Sequence, residues 1–293
     1  MKKTRDNSAQ RTGENQFQQI WHRYKKRPSA MAGLIILIVL ILVAIFADVL
    51  YDYEGVALAQ NVSERFMKPC AEHIFGTDDY GRDILARVVH GSRLSLGIGF
   101  SSIMFSTIIG TAIGAVAGFV GGKLDNVIMR IMDILMAIPS ILMAMIIVAV
   151  FNTSAVTIAL ALGIANIPTF TRVARGAVLT VREKEYIESA RAIGETNGSI
   201  ILKHILPNCF APIVVQFTVS LAMTILSVSG LSYLGMGIQA PAPEWGSMLS
   251  GSRAYLSNAS YMAIFPGLAI VLTILSLNLI GDGIRDATDP KLR

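Results

Sequence analysis

The chain has 293 residues, of which 53% are apolar and only 15% charged, and its mean hydropathy is +0.57. That balance excludes an ordinary soluble domain and a disordered chain, and it points to a polytopic membrane protein. The formal net charge of +5 is therefore informative by location, because basic residues gather on one side of a membrane.

Residues 1–30 form a tail in which Phe17, Ile20, Trp21 and Tyr24 recur at helical spacing among His22, Arg23, Lys25, Lys26 and Arg27. The pattern predicts an amphipathic helix lying in the membrane interface; a basic stop signal with incidental aromatics is the plainer alternative. Pro28-Ser29 predicts a break and a cap before the first span. The charge sits beside a span, so its partner is anionic lipid rather than nucleic acid. The run 31–50, MAGLIILIVLILVAIFADVL, is too long for the apolar region of a signal peptide and lacks a small-residue cleavage site, so it reads as a retained anchor.

Five more runs of membrane-crossing length follow, at 94–122, 127–151, 155–171, 209–237 and 261–281. The expected fold class is all-α with six transmembrane helices. Residues 31–50 make the first, 51–93 an extracytoplasmic segment, and 94–293 a five-helix transmembrane domain. Of the 25 Lys and Arg residues, 19 fall in the tail, in 123–130, in 172–203 and at the C-terminus. Both termini are thus expected in the cytoplasm, with 51–93, the turn at Asn152-Thr153-Ser154 and 238–260 outside. Cys70 and Cys209 then lie on opposite sides and form no disulfide framework.

In the external segment, Asp78, Asp79, Arg82, Asp83, Arg87 and Arg93 crowd one stretch, with Ile84, Leu85, Val88 and Val89 as its apolar stripe. A surface helix capped by Asp78 or Asp79 and ended by Gly91 explains them as structure. The functional alternative is gating, or docking of an external partner, with Asp78, Arg82, Asp83 and Trp245 as the residues involved. His73 and His90 lack tight metal spacing and His22 and His204 stand alone, so no metal is expected. Gly110, Gly114 and Gly118 recur every four residues and predict a flat face for a neighbouring helix. Asp133, one turn from Arg130, reads as half of an interfacial ion pair, and Pro139 interrupts the third span. In PAPEWGSML at 241–249 the prolines direct the chain before Trp245, whose indole suits the interface, and Glu244 reads as a helix cap; re-entrant structure there stays open.

One polar island separates the fourth and fifth spans, EKEYIESARAIGETNGSIILKHILPN at 183–208. Glu183 to Ile193 reads as a helix with Tyr186, Ile187, Ala190 and Ile193 on one face, terminated by Gly194 in a left-handed turn. Thr196 or Ser199 caps a short second helix that carries Ile200, Ile201 and Ile205 and ends at Pro207. Ser189 and Ala190 let a partner surface approach closely, and Glu188 offers a charge. A solvated connector resting on the membrane is the plain alternative.

Glu188-Ser189-Ala190, three residues, Gly194, and then Leu206-Pro207 resemble the coupling motif of ABC-importer permeases, with Ser189 in place of the first alanine and His204 in place of the usual isoleucine. Together with FGTDDYGRDILARVVHGSRLSL at 75–96, PAPEWGSML at 241–249 and GDGIRDATDPKLR at 281–293, the chain is similar to the peptide/nickel branch. It looks like the permease that pairs with a second, different permease in dipeptide and oligopeptide importers. The resemblance implies a type I ABC importer permease fold, half of a pathway for di- and oligopeptides, a coupling hairpin at 183–207 carried by Glu188, Ser189, Ala190, Gly194, Leu206 and Pro207, two cytoplasmic ATPases that bind ATP and Mg, and an external solute-binding protein. Nickel or a peptide-like conjugate is the alternative solute.

The residues agree with that division of labour. Gly122-Lys123 is followed by Leu124 and has Ala117 where a phosphate-binding loop needs glycine, and neither a HExxH pair nor a GxSxG turn occurs. The chain is expected to be no enzyme and to hold no cofactor itself. An ion-driven secondary carrier would need acids at midmembrane depth and matched broken helices, and a membrane scaffold would leave the polar island without a purpose.

Overall fold

The structure, a computed structural model, describes residues 16–288. Residues 1–15 of the expected tail, the side chain of Phe17, and residues 289–293 of the GDGIRDATDPKLR stretch lie outside the described residues. Among those described, no β-strand forms beyond an isolated bridge between Thr77 and Asp83. Five helices are long and apolar enough to cross a membrane, and a bent pair supplies a sixth crossing.

Helix α1, Gln16–Lys25, is amphipathic as its spacing predicts, but part of its apolar side is taken by the protein itself. Ile20 and Tyr24 pack with Leu34 and Ile284, the Tyr24 hydroxyl donates to the Ala30 carbonyl at 3.0 Å, and Trp21 remains exposed, stacked on Tyr24. The expected cap at Ser29 does not form. Arg27 holds the cap position in extended conformation and Pro28 is the first helical residue of α2, Pro28–Ile45, because proline's fixed φ suits that position and its missing N–H costs nothing there. The first crossing therefore starts earlier than the run 31–50 and bends at Phe46 into the short α3, Ala47–Leu50.

The expected surface helix and second span are one helix, α4, Ile84–Val120, 37 residues and about 55 Å long. Asp83, not Asp78 or Asp79, caps it, accepting from the Ala86 N–H at 2.8 Å. Gly91 does not end it. The glycine is where Trp245 lies against the helix, 3.0 Å from where a β-carbon would stand.

The third crossing is broken. Helix α5, Gly122–Met136, and α6, Ser140–Phe151, meet at an angle of 81°, because Pro139 cannot donate to the helical ladder and its ring clashes with the preceding turn. Helix α7, Ala155–Val181, then starts at Ser154, whose Oγ accepts from the Thr157 N–H at 3.0 Å. It runs ten residues beyond the apolar run that predicted it. Two further long helices, α11, Phe210–Tyr233, and α13, Tyr261–Thr288, complete the bundle, with the short α12, Trp245–Ser252, wedged between them and α4.

The glycine stripe of α4 seats on α7 as its spacing predicts. A β-carbon on Gly110 would stand 2.6 Å from Phe170 Cβ, one on Gly114 would overlap the Thr171 carbonyl, and one on Gly118 would meet the Arg175 carbonyl at 3.0 Å. Charge then ties α5 to α7. Arg175 grips Asp125 with two hydrogen bonds of 2.5 and 2.6 Å, and Asp133 pairs with Arg172 rather than with Arg130, which stays exposed. The bend at Pro139 lays α5 beside α7, so a cation on the neighbouring helix outcompetes the one a turn away.

Helix α1, the 183–208 island and the end of α13 share one end of the bundle, joined in part by an Arg27–Asp286 ion pair of 2.7 Å; this is the hairpin end. The segment 51–83 and α12 lie at the other, the far end. Replacing Gly114 with valine forces α4 and α7 apart, and it should cost at least the 1–3 kcal/mol of ordinary overpacking, about. Gly176→Ala on α7, where a β-carbon meets nothing, should be neutral or mildly stabilising. Thermal unfolding of the two purified variants in detergent checks the contrast, and equal stability would refute the seam.

Candidate functional site

At the hairpin end, Arg182 fastens the foot of α7 by donating from Nη1 to the Gly118 carbonyl at 2.7 Å. The chain then turns into α8, Glu185–Ala192, shorter than the predicted 183–193. Its apolar residues divide between two surroundings. Ile187 and Ala190 are buried in a cluster with Phe119, Val178, Ile200 and Ile205, whereas Tyr186 and Ile193 are 45% and 83% exposed. Arg191 lies over the Phe119 ring at 5.0 Å. Ala190 is thus a contact with the chain's own bundle, which corrects the expectation that its small size serves a partner's approach. Glu188 and Ser189 face outward.

Gly194 ends the helix with φ +83°, as its place in the sequence predicts. Its N–H bonds to the Arg191 carbonyl at 3.0 Å and the Glu195 N–H to the Ala190 carbonyl at 3.1 Å, satisfying two orphan carbonyls. A β-carbon on Gly194 would project into open space. Thr196 caps the next turn, α9, Asn197–Ile200. The second helix does not stop at Pro207. A π-helical turn, Ile201–Ile205, leads into α10, Leu206–Asn208, and on into α11, because the wider turn absorbs the hydrogen bond that Pro207 cannot donate. Leu206 packs against the hairpin cluster, while Pro207 is exposed.

His204 does not stand alone. Its Nε2 lies 2.9 Å from Glu195 Oε2, and the Ser199 hydroxyl donates to Glu195 Oε1 at 2.6 Å. The Ser199 hydrogen bond first, and then that of His204, hold the Glu195 carboxyl below its ordinary range. This pair closes the hairpin where the resemblance leads one to expect an isoleucine. Nine residues separate the partners, a spacing with no helical or strand period, so the sequence carried no signal for it.

At the far end, Asp78 accepts from Arg82 Nε at 2.6 Å, and Arg87 Nη1 donates to the carbonyls of Ala57 and Pro241, both at 3.2 Å. Asp83 is shared between its capping bond and His73 Nδ1 at 2.8 Å. That hydrogen bond, with lesser help from the charges of Asp83 and Glu64, raises the His73 pKa. Trp245 is 1% exposed and its indole N–H donates to the Val88 carbonyl at 2.9 Å, so it is a buried peg and not an interfacial anchor. Glu244 caps α12 as expected, accepting from the N–H groups of Gly246 and Ser247 at 2.9 and 2.8 Å and from the Ser95 hydroxyl at 3.1 Å. Asp78 with Arg82 and Asp83 with His73 therefore make two neighbouring polar contacts at the far end, and Trp245 of α12 packs against α4 at Gly91.

Comparison with known proteins agrees with this architecture. The model of the binding-protein-dependent transport system inner membrane component matches residues 110–293, and the N-terminal TM domain of oligopeptide transport permease C matches residues 15–69. The dipeptide transport system permease protein DppC of Alkalihalophilus pseudofirmus is 46% identical across 97% of this chain and 93% of its own length. The glutathione transport system permease protein GsiD of Pectobacterium atrosepticum is 40% identical across 94% and 92%. Among solved structures, the inward-facing MetNI methionine ABC transporter matches with a TM-score of 0.58 and 21% identity over 70% of this chain and 98% of that one, which shows the type I importer permease fold. The chain belongs to the family of binding-protein-dependent transport system inner membrane components, the permease subunits of ABC importers.

Proposed function

We propose that this permease forms half of a pathway for short peptides, paired with a second, different permease, and that its 183–207 hairpin seats on a cytoplasmic ATPase. The observation that carries the coupling role is the division of α8. Ile187 and Ala190 bolt the helix to the foot of the bundle, while Tyr186, Glu188 and Ile193 stand free around a glycine with nothing near it. A bolted helix with an unpartnered, partly apolar outer face suits a groove on another subunit, and closure of that groove would move α7 and α11 with it. ATP and Mg would bind in the ATPases, and solute would arrive from an external binding protein. The names of the two relatives, one for dipeptides and one for glutathione, support a peptide or peptide-like solute.

The hairpin end faces the cytoplasm in this reading, as the distribution of Lys and Arg supports. With Cys70 replaced by serine, an Asn197→Cys thiol should react with an impermeant maleimide only in opened vesicles, and a Ser257→Cys thiol from outside intact cells. The reverse pattern refutes the orientation.

Glu188→Lys and Gly194→Val test the coupling role. The first reverses the charge offered to the ATPase, and the second strains a left-handed turn by about 1–2 kcal/mol. Each variant should reach the membrane and hold the second permease yet lose ATPase retention on co-purification and lose uptake. Normal uptake with the ATPase retained removes the coupling role, and uptake of nickel without peptide by the unmodified importer removes the peptide reading.

A further inference from the structure

Between the segment before α4 and the loop leading into α12, the far end of the bundle holds a cleft of about 290 Å³. Three of its charged side chains, Asp78, Arg82 and Arg87, are more than nine-tenths buried. They satisfy one another: Asp78 Oδ2 lies 2.6 Å from Arg82 Nε and 3.6 Å from Arg87 Nε, and Arg87 is further bound to the carbonyls of Ala57 and Pro241.

Two polar groups of the lining stand apart from these contacts. The nearest cation to Asp79 is Arg82 Nη2 at 3.9 Å, beyond hydrogen-bonding reach. Burial first, and then the charge of Asp78, push the Asp79 carboxyl above its ordinary range, a condition that a bound cation would relieve. Gln239 uses its amide N–H groups on the carbonyls of Gly235 and Gly237, which leaves its side-chain oxygen to accept. Ile84, Ile238, Met248 and Met262 supply apolar lining.

A carboxylate whose one side-chain cation is 3.9 Å away, next to an amide oxygen and an apolar wall, is complementary to a primary ammonium followed by a peptide bond and a side chain. A carboxylate ligand would meet the negative charges of both Asp78 and Asp79. A divalent ion would lack the six or more oxygens it needs. A lysine from a docking protein would present only methylenes to Gln239. We infer that this cleft binds the α-ammonium end of a short peptide, with Asp79 as the accepting carboxylate, at the outer mouth of the permease. The inference rests on the peptide reading proposed above.

The test uses the assembled importer, reconstituted without its binding protein, carrying Cys70→Ser and Ser250→Cys. Cys209 is buried, Ser250 lines the cleft, and maleimide addition to this chain is read by mass. Dialanine at about ten times its dissociation constant should slow labelling of the introduced thiol about tenfold, as occupancy requires, and N-acetyl-dialanine should not. Asp79→Asn should leave the unliganded labelling rate unchanged and raise the half-protecting concentration about tenfold or more, the scale of one charge-assisted hydrogen bond. Equal protection by both compounds, or protection that survives Asp79→Asn, overturns the ammonium site. Protection by neither compound, including the case in which added binding protein alone slows labelling and so marks a protein-docking surface, overturns it as well. Peptide uptake by the unmodified importer without protection overturns the cleft and leaves the peptide reading standing, whereas no peptide uptake at all overturns that reading.

Discussion

The close approach of α4 to α7 is the constraint on which the rest depends. Three glycines spaced by four residues remove the side chains that would hold the helices apart, so that backbone meets backbone along several turns. Apolar side chains gain little from leaving lipid, and association inside a bilayer relies on packing and hydrogen bonding instead. The seam uses both, since the Ser106 hydroxyl of α4 donates to the Gly163 carbonyl of α7 at 2.7 Å. With these two helices fixed, the foot of α7 has one position, and α8 hangs from it.

Charge takes over where the seam ends. Below Gly118, the bond from Arg182 to the Gly118 carbonyl and the Arg191–Phe119 contact join the return of the chain to the same helix that began the seam. The paired Asp125–Arg175 and Asp133–Arg172 contacts bring the broken third crossing alongside. These pairs lie 10–51% exposed by side chain, so each is worth little as stability. Their value is geometric, because Asp125 with both guanidinium hydrogen bonds fixes an angle as well as a distance.

What the sequence revealed was what short-range physics determines. The apolar runs located the crossings, the Lys and Arg count suggested their sense, Gly194 announced its left-handed turn and Glu244 its cap. Misreadings occurred where a residue's partner is distant in sequence. Gly91 carries the signature of a helix terminator, yet it serves Trp245, 154 positions away. Asp78 and Asp79 are as good capping residues as Asp83, and only the fold of residues 61–83 selects the last, by bringing His73 to its second oxygen. The Glu195–His204 pair belongs to the same class, since neither residue stands out until the hairpin closes.

Helix α4 also relates the two ends of the molecule. Its first turn is capped by Asp83 at the far end, its Gly91 receives Trp245, and its last turn carries Phe119 beneath Arg191. At about 55 Å it is nearly twice the roughly 30 Å of a hydrocarbon core, so both of these contacts belong to one unbroken rod. No proline interrupts its hydrogen-bond ladder, so it resists bending far more than a loop does. Adjacency alone does not make a coupling path; a rigid element becomes one when each of its ends has two arrangements of different energy. The far end has the ingredients in the His73–Asp83 and Arg87–Ala57 contacts, which must break if the segment before α4 lifts away. The hairpin end has them in the Glu195–His204 closure, which holds α8 at one angle to the bundle.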